Sequence, residues 1–171
     1  TTGAGNIRLT EANGVTLAEV TAANGSITVH TGGDTTIGTI ASTTGNEAND
    51  IDVTASSGDI TVGSVSASGA ADVTIEATNG TIKDDADDTV TDVTGDVVTL
   101  TAKAGVGQSG AGTNGSLDTA ASSLDVSVTG DGLIRLNEAD EVTLADVETT
   151  NGPISIVSGG SMIVATVTAG G

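Results

Sequence analysis

Phe, Trp and Tyr are all absent from the 171 residues. A globular core of this length normally draws much of its buried area from aromatic rings. An interior without them must be narrow and filled by Val, Ile, Leu and Thr. The same absence removes stacking platforms for sugars and bases. Cys is absent too, which excludes a disulfide framework and a thiolate metal site while leaving the redox compartment open. Lys and Arg number 4 against 23 Asp and Glu, for a formal charge of −19. That balance argues against nucleic acid and anionic membrane as partners. It also makes long assemblies repel one another and stay soluble. The one proline, Pro153, falls in a turn, where it is tolerated. No stretch is apolar enough to insert in a membrane as a helix. The chain opens at Thr1 with neither Met nor a signal peptide, so we expect a segment of a larger, processed protein.

What is present is a repeat. The stretch 1–44 aligns without a gap to the stretch 128–171, and 19 of the 44 pairs are identical. Among them are Ile7/Ile134, Arg8/Arg135, Leu9/Leu136, Glu11/Glu138, Val15/Val142, Leu17/Leu144 and Val20/Val147. We therefore divide the chain into one full repeat, 1–127, and the first third of the next, 128–171.

A shorter period lies inside the long one. Ile7, Leu9, Val15, Leu17 and Val20 are followed, at the same mutual spacing, by Ile27, Val29, Thr35, Ile37 and Ile40. The second copy repeats this with Ile134, Leu136, Val142, Leu144 and Val147, then Ile154, Ile156, Met162, Val164 and Val167. Ile51, Val53, Ile60, Val62 and Val65 make a third, slightly longer unit. Alternation of period two means strands with one face buried. A fixed period near 20, built from short strands and Gly/Asn turns, predicts a solenoid. One unit carries too few aliphatics to offset the entropy of ordering its backbone, so only stacking makes the fold favourable. The expectation is all-β: a parallel β-helix with coils of about 20–24 residues and no helix. About six coils would fill the first repeat, averaging about 21 residues each, and at roughly 4.8 Å per coil the whole chain would be a rod roughly 40 Å long.

One segment is similar to a known family. Gly105-Val106-Gly107, Leu117-Asp118-Thr119-Ala120 and Gly132-Leu133-Ile134-Arg135-Leu136 resemble the repeats of filamentous-haemagglutinin-type secreted bacterial adhesins. The resemblance spans essentially the whole chain and rests on structural motifs. It implies a right-handed parallel β-helix on the bacterial surface or in a secreted fibre, and it transfers no ligand.

The candidate chemistry is sparse. The acidic run Asp84, Asp85, Asp87, Asp88 is expected to be an outward loop and offers hard oxygen ligands that suit calcium. Its spacing matches no EF-hand, and the calcium-binding nonapeptide of some β-helices is absent. Glu47, Asp50 and Asp52 form a second acidic group with the same two readings, solvated loop or calcium. His30, the single histidine, reads as a surface residue. Arg8 and Arg135 each have an acidic residue three places on and read as ion pairs or covers over apolar surface. Thr16, Thr36 and Thr61 occupy one outward position in successive coils and read as a ladder. Polysaccharide chemistry needs paired carboxylates or a base inside a cleft; four scattered cations and one His do not supply it, so no enzyme is expected.

The function expected is a structural repeat of a long extracellular bacterial surface protein, in an adhesin stalk or fibre. Its partners would be neighbouring copies of the same repeat and a host or cell-surface glycan or protein. No cofactor other than calcium is expected. Two alternatives stand beside it: a calcium- or glycan-binding β-helix module, and a subunit that polymerises without covalent continuity.

Overall fold

The computed structural model describes residues 5–86, 88–108 and 115–171. These residues form an all-β solenoid of about seven coils, with every strand pairing among them parallel and no helix among them. A coil has three faces, and each face is a ladder. The first runs Ile7↔Ile27↔Ile51↔Val73↔Val98↔Leu124. The second runs Val15↔Thr35↔Ile60↔Ile82↔Val106. The third runs Val20↔Ile40↔Val65↔Val93↔Thr119. Parallel stacking places like residues over like, so the period-two aliphatics form one continuous core.

Within a coil the alternation decides what is inside. Ile27–Thr31 buries Ile27, Val29 and Thr31 and turns Thr28 and His30 outward. Where the template changes to Thr35, the hydroxyl is still buried and meets Thr31 Oγ1 at 2.6 Å. A buried hydroxyl needs such a partner. At Gly80 the rungs approach so closely that a Cβ would lie 1.9 Å from the Gly58 carbonyl oxygen. Only glycine fits there.

The junction between the two sequence copies shows how the long period sits on the coil. Ile134–Glu138 does not take the first face, which its counterpart Ile7–Glu11 occupies. It stacks on the second and third faces together, with Ile134 over Val106, Leu136 over Leu117 and Glu138 over Thr119. Val142–Asn151 then covers the first face, absorbing the mismatch in a register shift between Leu124 and Asp125. Five steps of the first-face ladder carry the chain from Ile7 to Leu124, and Ile134 lies about half a coil further. Equivalent residues of the two copies therefore lie on different faces of the rod. Leu117, Leu124, Val126 and Val128 all point inward and keep the core unbroken across the junction, as their alternation predicted.

In the coil 154–169, Ile154 and Ile156 pack partly on the core, while Met162, Val164 and Val167 remain exposed, covered by strands on one side only.

Candidate functional site

Corners set the chemistry of this surface. Where one face turns into the next, a carboxylate accepts a hydrogen bond from the backbone N–H of the following coil. Asp34 accepts from Asp59 at 2.9 Å, and Asp59 accepts from Thr81 at 2.9 Å. Asp50 accepts from Asp72 and Asp72 from Val97, both at 3.0 Å. Asp92 accepts from Asp118 at 2.8 Å. Much of the acidity is thus structural: a corner amide lacks a ladder partner, and an anionic acceptor satisfies it.

Asp59 serves two donors, because Lys83 also reaches it in an ion pair. Partial burial pushes its carboxyl up, but Lys83 and the Thr81 amide outweigh that and hold it below the usual range. Asp59→Ala is expected to lose about 1–2 kcal/mol, chiefly through the unmade Thr81 bond. Lys83→Ala should lose less than about 1 kcal/mol, since the pair is part exposed and screened. Urea unfolding of both variants checks this; equal losses would make the ion pair, not the amide cap, the source.

The acidic run is not wholly the outward loop expected of it. Asp84 ends the strand Thr81–Asp84 and is 3% exposed. Its register partner is Val62, so it continues the inward column Leu17, Ile37, Val62. Asp85 and Asp88 are exposed, as expected, and Asp87 lies outside the described residues. Asp88 accepts from Val90 N. The residue that joins Asp84 and Asp85 is Asp92, from the far side of the insertion between the second and third faces. Carboxylate oxygens of Asp84, Asp85 and Asp92 all lie within 4.8 Å of one another.

This corner is short of donors. Asp84 Oδ1 accepts from Ala86 N, but among the described residues Oδ2 has no hydrogen-bond partner. Asp118, on the next coil and 3% exposed, accepts from Asn137 Nδ2 through Oδ1, and its Oδ2 is likewise unpartnered. Burial raises the Asp92 carboxyl to about 8, with repulsion from Asp84, Asp118 and Asp85 adding and the Asp118 amide opposing. Burial also raises Asp118, helped by Asp84 and Asp88 and opposed by Asn137.

Sequence reading passed over Asp92 and gave Asp118 no chemical role, and it read Glu138 only as the acidic neighbour of Arg135. Glu138 was readable: Ile134, Leu136 and Glu138 alternate, so the third must also point inward. It is 1% exposed and accepts from Thr119 Oγ1 at 2.7 Å and Ala121 N at 3.2 Å. Arg135 lies on the outward side of that strand, because residues three apart in a strand face opposite ways. Glu138 is therefore satisfied by Thr119 and Ala121. Glu11, in the equivalent place, accepts from Asn13 N.

Other candidates stay apart. Among the described residues, Glu47, Asp50 and Asp52 do not gather; Asp50 is a corner cap and Glu47 is exposed. His30 sits outward between Thr10 and Thr54 in register. Thr16, Thr36 and Thr61 stack in register, and the next position in the column is Lys83. No helix of the described residues is long and apolar enough to cross a membrane. No protein-family model, curated protein or solved structure matches the chain.

Proposed function

We propose that this chain is a length of stiff rod, a structural repeat of a long extracellular bacterial surface protein that serves as an adhesin stalk or fibre. The observation that carries this reading is the seam between copies. Residues of the second copy stack directly on the first, Val106 under Ile134 and Leu117 under Leu136, with no gap in the buried aliphatics. A tandem array built this way is one continuous column rather than domains on a string. Each coil contacts only its neighbours, so length adds without a new core. The two terminal coils also share one plan: strands Ile7–Glu11, Val15–Leu17 and Val20–Ala22 match Ile154–Ser158, Met162–Val164 and Val167–Ala169 in length and spacing. The acid-rich surface supports an extracellular setting in which neighbouring rods repel.

The test is a set of proteins carrying one, two and three copies of the 1–127 repeat, measured by small-angle scattering and electron microscopy. Five and a half coils at roughly 4.8 Å each should add roughly 26 Å of rod per copy at constant cross-section. Beads joined by flexible hinges would contradict the reading.

A further inference from the structure

We propose that Asp84, Asp85 and Asp92 bind one divalent cation, calcium in preference to magnesium, at the corner between the second and third faces. The site is independent of whether the rod serves as a stalk.

Position is the first support. Asp84 occupies an inward place that aliphatics fill in the coils before it, Leu17, Ile37 and Val62. It is not a solvated surface carboxylate. Asp92 is also 3% exposed, and Asp85 forms the outer wall.

Unmet bonding is the second. Among the described residues, Asp84 Oδ2 is buried without a hydrogen-bond partner. A buried acceptor left unmet is costly. A cation among Asp84, Asp85 and Asp92 supplies the missing partner of Asp84 Oδ2 and offsets the repulsion among the three carboxylates. Lys83, next in sequence, cannot do this, because it points outward and pairs with Asp59.

Ligand type is the third. Three carboxylates gather at this corner. Calcium accepts several carboxylates among its six to eight oxygens, whereas magnesium keeps most of its waters and takes one or two.

The test is calorimetric, on chain first treated with chelator and then titrated with calcium chloride or magnesium chloride. We expect one calcium per chain, weaker magnesium binding, and a rise in melting temperature with calcium. Asp84→Asn, Asp85→Asn and Asp92→Asn should each weaken calcium binding at least about tenfold, the least that loss of even an outer partner tends to cause. Asp85 is exposed, so its variant keeps the test valid if the buried ones fail to fold. Asp88→Asn should bind within about twofold of the parent, since Asp88 lies outside the carboxylate cluster. The site is overturned if millimolar calcium gives neither heat nor a melting shift, or if Asp85→Asn and Asp92→Asn bind like the parent. Magnesium binding as tightly as calcium would overturn the choice of ion.

Discussion

Ile75→Ala is expected to lower the unfolding free energy by about 2–5 kcal/mol. Ile75 is fully buried and stands in register between Val53 and Leu100. Truncation leaves a cavity, and the coils above and below are held at fixed spacing by their backbone ladder, so they cannot close on it. The range reflects how far a site relaxes, and this one should relax little. In a solenoid the loss falls on one coil and its neighbours, so a broadened transition should accompany it. Val157→Ala is the control: Val157 is 59% exposed and should change stability by less than about 0.5 kcal/mol. Far-ultraviolet circular dichroism in urea reads both, since the chain has no aromatic residue to report by fluorescence. Equal effects at the two sites would mean that Ile75 is not packed as described.

Stability should fall as pH rises from about 5 to 9 in a chelating buffer. Asp92 ionises near its ordinary 3.8 in the unfolded chain and at about 8 in the folded one. Between these values the folded state holds a proton that the unfolded state has released. Stability is therefore full below the unfolded value and is lost as pH climbs through the folded value. Asp84 and Asp85, at the end of the strand Thr81–Asp84, and Asp118, on the next coil, push the Asp92 carboxyl the same way. Raised values at Glu138, where burial dominates, and at Asp125, where burial and then Asp146 and Glu148 contribute, add smaller slopes of the same sign. The loss should be on the order of a few kcal/mol, and Asp92→Asn should remove most of it. Melting temperatures across the pH range check this; a profile that Asp92→Asn leaves unchanged would place the titration elsewhere.

The fold was legible because its signal is repetitive. Ile7 and Ile27 stack because one coil separates them, and that spacing stands in the sequence. What was less legible depended on how the long period meets the short one. The alignment shows Ile7 and Ile134 as equivalent, yet nothing local reveals that the long repeat ends half a coil out of phase. The phase follows from how many strands fill the first repeat, and the stretches after Ile82 and Val106 carry no alternation by which to count them. The acidic corner was half legible for the same reason. Asp84 and Asp85 adjoin in sequence, whereas Asp92 reaches them only by closing the insertion. Corner carboxylates such as Asp59 and Asp72 read as solvating charge, because their amide donors lie 22 to 25 residues away.

The central claim is parallel, in-register stacking of successive coils, and nuclear Overhauser contacts between isoleucine methyl groups test it most directly. In methyl-labelled protein the account requires contacts between Ile27 and Ile51, between Ile60 and Ile82, and between Ile134 and Ile154, each pair aligned in register. Missing contacts at these pairs, with cross-strand contacts reflected about a turn as in antiparallel hairpins, would contradict it.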